Sequence, residues 1–411
     1  MMKGTDTNKG AFSGLTVVSF SWAMAGPLTM KFLADYGAKV IRIETTTRTC
    51  LMRTSPPFKD DEPGINRSGY YNYHSANMLS FSLNMSHPLS ADVAKRLIAK
   101  GDVVMENFAP GVMEKWGLTY DELKMIKPDI IMLRQSGYGS SGPYAHLPSY
   151  GMILAAISGL SNFIGWPDRD PLPVGIGAYT DCISPRFAAA ALIAALDYRD
   201  RTGKGQLLDL SQFETAVYFI LPAILDYQAN GREPVRRGNA HQWAAPHGVY
   251  PCKGDDRWCT IAVYDDKQWA ALCEAIGDPQ YKDDEEFATV LQRKRNEENT
   301  DALLGQWTVR FDTEELVSRL QAVGIAAGPV EDARDNFNDP QLRERNFFWS
   351  LMHREIGLFE HLGAPAQLSL TPPEASRPAP CLGEDTEYIC AQMLGMSDEE
   401  FATLVQAGVL E

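Results

Sequence analysis

The chain has 411 residues, more than one core of ordinary size accommodates, so two or three domains are expected. Its hydrophobic content of 45% and charged content of 22% are typical of a soluble globular protein. The formal net charge of −15 argues against nucleic acid as a partner, because phosphate binding needs a basic surface, although a locally basic pocket can still hold a small anion.

The first part of the chain alternates strand and helix patterns. "LTVVSFSW" predicts a buried strand, and after the turn "AMAGP" the segment "LTMKFLADYG" predicts an amphipathic helix that ends at Gly37. The alternation continues with the strand "AKVIRIE", the helix "SADVAKRLIAKG", the strand "DVVMENF", the helix "TYDELKMIKP" and the strand "DIIMLRQSG". This order predicts a parallel sheet covered by helices on both faces. Ligands bind such sheets at loops beyond the carboxyl ends of the strands, here "SWAMAGP", "ENFAPGV" and "SGYGSSGPYA".

The pattern changes near residue 230. Before this point lie the helix "GMILAAISGLSNFIG", an alanine-rich helix, the strand "LLDLS" and the apolar helix "QFETAVYFILPAILDYQ". After it, "GVYPCKGDDRWCTIAVY" predicts an antiparallel hairpin, and charge-rich helices follow, so a smaller domain is expected at residues 228–330. "RPAP" marks a linker before a helical tail whose Ser397 and Glu400 form a capping box.

The termini and the cysteines favour a cytoplasmic protein. The first residues have no long apolar run of the kind found in a signal peptide, and the longest apolar stretches are too short to span a bilayer. Seven cysteines, an odd number without a CxxC pair, indicate neither structural disulfides nor a zinc site. We therefore expect neither a metal nor a membrane partner.

The loops at the strand ends contain several residues suited to ligand binding. The segment "ENFAPGVMEKWGL" supplies the Asn107 amide, the Phe108 ring and the Lys115 ammonium, which suit amide, stacking and phosphate contacts. "SWAMAGP" offers backbone N–H groups at a helix start. The same residues are also ordinary in loops and first helical turns, so both interpretations stay open here. His241 has no metal-like partner at close spacing and is interpreted as a core or surface histidine.

Asp181 is the one acidic residue in "GIGAYTDCISPRFAAAALIAAL", just before the alanine-rich helix. Ser184 followed by Pro185 predicts the N-cap and the first helical position, which leaves Asp181 in the preceding turn. A carboxylate there is favoured by the helix dipole, so local physics permits both a turn residue and a catalytic group. The adjacent Cys182 has no histidine nearby in sequence to activate it and is interpreted as a structural thiol.

Five blocks in this order resemble the family III coenzyme A transferases, a group that also contains CoA-ester racemases, over nearly the whole chain. They are "GLTVVSFSWAMAGPLTMKFLADYGAKVIRIE", "GDVVMENFAPGVMEKWGLTYDELKMIKPDIIMLRQSGYGSSGPYA", "AAALIAALDYRDRTGKGQLLDLSQFE", "HGVYPCKGDDRWCTIAV" and "APCLGEDTEYICAQMLGMSDEEFATLVQAGVL". The resemblance implies an α/β fold with an open, Rossmann-like parallel sheet in a large domain, residues 1–227 and 331–411, and an inserted smaller α+β domain at 228–330. It also implies two subunits interlocked as rings, in a homodimer or in a heteromer with a related subunit.

The resemblance further implies that Asp181 is a catalytic nucleophile. A carboxylate with an unperturbed pKa near 3.9 is ionised at neutral pH and needs no general base. It attacks the donor thioester to give a mixed anhydride and free CoA thiolate. The thiolate attacks the anhydride and leaves an aspartyl-CoA thioester, after which the acceptor carboxylate repeats these steps in reverse. The CoA thioester is therefore a co-substrate, and no tightly bound cofactor is expected.

The same resemblance implies a set of coenzyme A contacts: Met24, Ala25, Arg48, Leu83, Asn107, Phe108 and Lys115. Lys115 stands where members of the family often have arginine, and Thr45 where a basic residue is common, with Arg48 as its substitute. Succinyl-CoA is the predicted donor. Aromatic residues near the site loops favour a bulky or aromatic acceptor such as an aryl-succinate: Trp22, Phe163, Trp166 and Tyr179.

The segment "PSYGMI" distinguishes a transferase from a racemase. The racemases carry a histidine base in a "GHD" motif, whereas this chain has Tyr150 and Gly151. Proton transfer across an α-carbon needs a base on each face, and tyrosine is a poor base at neutral pH, so the transferase is favoured. The alternatives are a racemase or lyase acting on a CoA ester, and a non-catalytic subunit of a heteromeric transferase.

Overall fold

A computed structural model describes residues 10–175 and 178–411. The strands are β1 Thr16–Ser19, β2 Lys39–Glu44, β3 Met78–Ser82, β4 Val103–Glu106, β5 Ile131–Ser136, β6 Leu207–Ser211, β7 His247–Pro251, β8 Trp258–Ala262, β9 Ala326–Pro329, β10 Phe348–His353 and β11 Gly357–Leu362.

The α-helices of the described residues are α1 Ala25–Asp35, α2 Gly69–Ser75, α3 Ser90–Ile98, α4 Val112–Lys115, α5 Tyr120–Ile126, α6 Gly151–Ile157, α7 Leu160–Phe163, α8 Tyr179–Thr202, α9 Gln212–Val217, α10 Leu221–Asn230, α11 Asp266–Ile276, α12 Val290–Arg295, α13 Glu297–Thr308, α14 Thr313–Ala322, α15 Ala333–Asn338, α16 Pro340–Glu344, α17 Thr386–Tyr388 and α18 Asp398–Gln406. Short 3₁₀ turns lie at Leu51–Thr54, Lys59–Asp61, Tyr218–Ile220 and Pro279–Lys282, and one π turn at Ile389–Met393.

The chain divides into two compact units. The larger unit contains three segments of the described chain: the residues up to Ser161, Pro173–Glu233 and Arg343–Glu411. The smaller unit contains Asn162–Leu172 and Pro234–Leu342. The domain limits at residues 227/228 and 330/331 stay predictions.

The larger unit contains a six-stranded, all-parallel sheet in the order β3-β2-β1-β4-β5-β6. Both faces are covered, as parallel sheets require. Neighbouring residues of β1 serve opposite faces: Val17 packs in the core with α1 and α8, whereas Val18 packs with α3, α5 and the C-terminal segment. The predicted parallel α/β sheet is therefore confirmed.

Two features of this unit differ from the sequence prediction. The strand β3 was not predicted, because "MLSFS" alternates small polar and apolar residues and follows a helix without an obvious turn. The predicted long apolar helix after β6 is three pieces, α9, a 3₁₀ turn and α10. Pro222 cannot donate a backbone hydrogen bond and lies in the first turn of α10, which explains why a new helix begins there.

The smaller unit is built on the antiparallel sheet β7-β8-β9, so the predicted hairpin is confirmed, with β9 added from a later part of the chain. One face of the sheet packs on α11, α13 and α14 around the stacked rings of Trp269 and Trp307. Its alternating burial, with Cys259 and Ile261 inside, is the pattern of a half-exposed antiparallel sheet.

Candidate active site

The strand order reverses between β1 and β4, which places a crevice beyond their carboxyl ends. From β1 the chain proceeds outward to β2 and β3, then returns to β4 on the other side of β1. The loops after β1 and β4 therefore leave in opposite directions, and such a switch point is where ligands bind in open α/β sheets. The two loops are joined there: the Asn107 amide accepts from the Trp22 N–H at 2.8 Å and donates to the Trp22 carbonyl at 2.8 Å.

Glycine at position 26 lets these loops approach each other. A Cβ there would lie 2.4 Å from Ser21 Cβ and 3.1 Å from Asn107 Cγ. The following residue, Pro27, lies in the first turn of α1, where its missing N–H costs nothing. The sequence "AMAGP" thus positions Asn107 as well as starting the helix.

A cavity of about 290 Å³ opens at this switch point. Its lining residues are Phe20, Trp22, Ile43, Glu44, Thr45, Thr47, Arg48, Leu83, Met85, Ser86, Phe108, Ala109, Val112 and Trp116. Of the predicted coenzyme A contacts, the structure brings Arg48, Leu83 and Phe108 together here. The Arg48 guanidinium lies 5.2 Å from the centre of the Trp22 ring, so one wall of the cavity is aromatic and cationic.

A second cavity, of about 330 Å³, shares Phe108 and Ala109 with the first and continues toward α6. Asn107, Ser136 and Tyr150 are among its lining residues. The Ser136 hydroxyl is buried and has no hydrogen-bond partner among the described residues, which leaves it free for a ligand. The two cavities are therefore neighbours, and the lining of the second extends from Asn107 to Tyr150.

Three other predicted contacts line neither cavity: Met24, Ala25 and Lys115. Met24 and Ala25 begin α1, and Met24 Sδ accepts a hydrogen bond from the Tyr70 hydroxyl at 3.1 Å. Lys115 is exposed at the end of α4 and lines neither cavity. These placements leave the roles of all seven residues as predictions.

The helix that carries Asp181 begins earlier than expected. The prediction that Ser184 is the N-cap and Pro185 the first helical residue is wrong: α8 begins at Tyr179, and Pro185 lies inside it. Asp181 is therefore a residue of the first helical turn. Ser184 instead accepts a hydrogen bond from the buried Gln135 amide at 2.8 Å, which fixes the helix against β5. Proline is tolerated here because it removes only the hydrogen bond to the Asp181 carbonyl, close to the helix start.

Asp181 lies against the start of α6. A Cβ on Gly151 would be 3.0 Å from Asp181 Oδ2 and 2.1 Å from Ala178 Cβ, so only glycine fits at position 151 without displacement. Thr180 donates to the Gly151 carbonyl at 3.3 Å and holds the two helices together. Tyr150, the residue before Gly151, lines the second cavity, whereas Asp181 is not among its lining residues.

Burial raises the pKa of Asp181 to about 6. No hydrogen bond or ion pair to its carboxylate occurs among the described residues, so nothing there offsets the loss of hydration. Tyr70 lies close by: burial raises its pKa, and the charges of Cys182 and Asp181 raise it further. Burial also raises the pKa of the Cys182 thiol, which makes it a weaker nucleophile than the carboxylate at neutral pH.

Glu44, which lines the first cavity, forms a buried ionic network with Arg42 and Arg53. Burial alone would raise the pKa of Glu44, but the charges of Arg42 and Arg53 outweigh it and hold the value at about 2. Arg53 binds Glu44 through Nε at 2.9 Å and Nη2 at 2.7 Å, and reaches the carbonyl of Pro380 at 3.3 Å. At the end of β4, burial raises the pKa of Glu106 to about 7, and its carboxyl accepts from the Phe108 N–H at 2.8 Å.

Sequence reasoning missed several of these residues. Trp116, Tyr70 and Glu106 gave no signal on their own, since each lies in an ordinary helical or strand pattern and becomes part of the site only through pairing of distant segments. Within the described residues, no group of three or more His, Cys, Asp or Glu side chains is arranged to hold a metal ion. None of the described helices is both long and apolar enough to cross a membrane.

Comparison with known proteins identifies the relatives of this chain. Residues 12–386 match CoA-transferase family III. The chain is 30% identical over 390 residues to the succinyl-CoA–D-citramalate CoA-transferase of Chloroflexus aurantiacus, covering 93% of each protein. It is also 30% identical over 409 residues to the beta subunit of succinyl-CoA–L-malate CoA-transferase from the same organism, covering 98% of each.

Among solved structures, a CaiB/BaiF family protein from Brucella suis superposes with a TM-score of 0.86 at 30% sequence identity, covering 94% of this chain and 100% of that one. A match along nearly the whole chain, with the same fold and named CoA-transferases among the relatives, is sufficient to assign the family. The chain belongs to CoA-transferase family III and is a CoA-transferase.

Proposed function

We propose that this enzyme transfers coenzyme A from an acyl-CoA donor to a carboxylic acid with Asp181 as the nucleophile. The observation that supports this most directly is the position of the Asp181 carboxylate, which is half-buried, has no ion-pair partner among the described residues and lies against Gly151, the residue after Tyr150 of the second cavity. An unpaired, poorly hydrated carboxylate is a better nucleophile than one held by an arginine.

The cavity at the switch point is proposed to hold the nucleotide of coenzyme A. Trp22, Phe108 and Trp116 offer ring faces to adenine, and Arg48 offers a guanidinium to a phosphate. The second cavity is proposed to receive the pantetheine arm, whose thioester would reach Asp181 past Tyr150. Met24, Ala25 and Asn107 would line this arm, and Lys115 would meet phosphate from the surface.

The proposed reaction proceeds through two covalent intermediates. The Asp181 carboxylate attacks the thioester carbon, the C–S bond breaks, and CoA leaves as the thiolate. The thiolate attacks the Asp181 carbonyl of the anhydride, releasing the donor acid and forming an aspartyl-CoA thioester. The acceptor carboxylate attacks this thioester to give a second anhydride, and returning thiolate attacks the acceptor carbonyl, which frees Asp181 and forms the new acyl-CoA. No net proton or electron is consumed.

For substrates, we propose succinyl-CoA as donor, since two relatives are named for it. The acceptor is proposed to be a carboxylic acid, either a dicarboxylate like those in the relatives' names or an aryl-substituted succinate. The aromatic side chains of Tyr70 and Tyr150, on segments next to the carboxylate, support a bulky acid. A racemase is disfavoured because Gly151 places no base opposite Asp181.

The enzyme is proposed to act as a dimer of identical chains in the cytoplasm. The helix α10 contains no buried residue in this chain, although Leu221, Leu225 and Tyr227 are apolar, so a second copy would cover it. All seven cysteines are free thiols, which suits a reducing compartment. A related second subunit is the alternative, because one relative is a named beta subunit.

The test is direct trapping of Asp181. The full-length protein is incubated with succinyl-CoA, and the peptide containing Asp181 is analysed by mass spectrometry, with and without hydroxylamine. We expect a CoA adduct on Asp181, its conversion to the hydroxamate, and a loss of at least about a thousandfold in kcat for Asp181→Asn. Active enzyme without a modified Asp181, or transfer activity that survives Asp181→Asn, would contradict the proposal.

A further inference from the structure

The side chain of Glu411 is hydrogen-bonded to the loop that follows β2. Its Oε2 accepts hydrogen bonds from the Thr46 N–H at 2.6 Å, the Thr46 hydroxyl at 2.8 Å and the Thr45 hydroxyl at 2.8 Å. Thr45 Oγ1 also lies 2.8 Å from Thr47 Oγ1, so the contact extends along the loop. Three donors directed at a single oxygen fix the loop far more narrowly than one would.

The segment that carries Glu411 is itself firmly attached to the sheet. Leu410 pairs with Leu83 in an antiparallel bridge, and the Asn84 N–H donates to the Val409 carbonyl at 2.9 Å. Val409 and Leu410 are buried in the core on the face of the sheet shared with β1. Glu411 therefore stands at a fixed place relative to the strands, which a positioning residue requires.

Glu411 contacts the loop from outside the cavity. Thr45, Thr47 and Arg48 line the cavity at the switch point, whereas Thr46 and Glu411 do not. Thr46, Thr47 and Arg48 are exposed, and the loop has no regular structure until the 3₁₀ turn at Leu51–Thr54. The loop thus depends on side-chain contacts, those of Glu411 on one side and the Arg48–Trp22 contact on the other.

We propose that Glu411 is a positioning residue for coenzyme A. By holding Thr45 and Thr46 from behind, it keeps the hydroxyls of Thr45 and Thr47 and the guanidinium of Arg48 at the nucleotide end of the cavity. This rests on the proposed binding of coenzyme A there. The role is one of orientation: Glu411 does not touch the ligand, and its carboxylate faces the loop donors, whose hydrogen bonds favour the ionised form.

Isothermal titration of coenzyme A with the full-length protein tests this, together with steady-state kinetics for succinyl-CoA. For Glu411→Ala we expect a Kd and a KM roughly tenfold higher, with kcat within about twofold of wild type. Glu411→Gln should restore most of the affinity, because an amide oxygen still accepts from the Thr46 N–H. Glu399→Ala is the matched control: it removes an equal charge from an exposed helix position nearby and should change neither constant.

The outcomes separate this proposal from the proposed function. Should the wild-type protein fail to bind coenzyme A at all, both proposals fall. If it binds but Glu411→Ala binds equally well, only the positioning role is wrong. Tighter binding by Glu411→Ala would also overturn it, since Glu411 would then be competing with a ligand phosphate. Circular dichroism and the Tm, expected to match those of Glu399→Ala, exclude misfolding as the cause of a weaker Kd.

Discussion

Asp181 combines two properties that oppose each other at the level of a single residue. Burial raises its pKa to about 6, so the carboxylate is costly to ionise, yet only the ionised form can act as a nucleophile. At neutral pH the ionised form still predominates by about tenfold. The same burial that weakens its ionisation strips water from the oxygen atoms and makes them more reactive.

The first prediction concerns pH dependence. Because the proposed mechanism requires Asp181 to be ionised, kcat/KM for the donor half-reaction should fall as pH decreases, with its midpoint near the raised pKa of about 6. Single-turnover formation of the enzyme–CoA adduct, measured without acceptor, isolates this half-reaction from titration of the acceptor acid. Rates measured between pH 4.5 and 8 check the prediction, and a flat profile down to pH 5 would contradict it.

The second prediction concerns stability. A carboxyl with a raised folded-state pKa destabilises the fold when ionised: the penalty is complete above about pH 6, shrinks as pH falls toward the unfolded value near 3.9, and vanishes below it. Asp181→Asn should therefore raise the free energy of unfolding at pH 7.5 by on the order of 2 kcal/mol and leave it unchanged at pH 3.5. Urea denaturation measures both.

Asp200→Asn provides the control for that measurement, since Asp200 lies on the same helix with an exposed side chain. It should change stability little at either pH. A destabilised Asp181→Asn at pH 7.5 would show that the carboxylate has a stabilising partner in solution.

Between elements, the contact of α6 with α8 controls where the proposed nucleophile, Asp181, lies. Gly151→Ala introduces a methyl group that would lie 2.1 Å from Ala178 Cβ and 3.0 Å from Asp181 Oδ2, so the start of α8 must shift. We expect a loss of at least about tenfold in kcat with a small change in KM for the donor, since displacement of a reacting group by about 1 Å is costly. Steady-state kinetics checks this. Ala156→Ser, at an exposed position on α6, is the control and should retain full activity.

At this scale the sequence allowed prediction of most of the parallel sheet but not of its local boundaries. Strands with dense β-branched residues, such as β1 and β2, and capped helices, such as α5 after Thr119, carry their own signals. The strand β3 lacks such a signal, and its register depends on β2 alongside it. The start of α8 was predicted too late because Ser184–Pro185 has the composition of a helix cap. In the fold, the Ser184 hydroxyl instead accepts a hydrogen bond from Gln135 on β5.

In the candidate site, too, residues with a local sequence signal could be predicted and residues without one could not. The loops after β1 and β4 could be predicted from sequence, because their position after predicted strands identified them. Asp181 was indicated only by the family resemblance, since the local sequence allowed both a turn residue and a catalytic group. Glu106 and Trp116 could not be predicted. Glu106 accepts a hydrogen bond from the Phe108 N–H, and the Trp116 ring packs on the Phe108 ring; both contacts depend on how the loop after β4 folds.

For the whole molecule, the exposed apolar surface of α10 and the preceding 3₁₀ turn predicts self-association. Tyr218 is 66% exposed, Leu225 52% and Tyr227 58%, values unusual for side chains of this kind in an isolated monomer. Light scattering after gel filtration should give about twice the chain mass of 45.6 kDa. Leu225→Glu should shift the protein toward monomer and lower its Tm, whereas Arg201→Glu, on an exposed part of α8, should not.

A monomeric wild-type protein at micromolar concentration would contradict that prediction. Co-purification with a related second chain would replace the homodimer by a heteromer, and activity that then survives Asp181→Asn would place catalysis in the other subunit.

The packing of residues 409–411 against early strands of the sheet has a consequence for biosynthesis. Glu411 contacts Thr46 across 365 residues of sequence, and Val409 and Leu410 cover a sheet face whose strands were made far earlier. At ordinary translation rates of about 5–20 residues per second, roughly 20–70 s separate the synthesis of these contacts. During that interval the nascent chain carries an uncovered apolar sheet face, which makes it a substrate for holding chaperones, and the loop at Thr45 and Thr46 lacks its contact with Glu411.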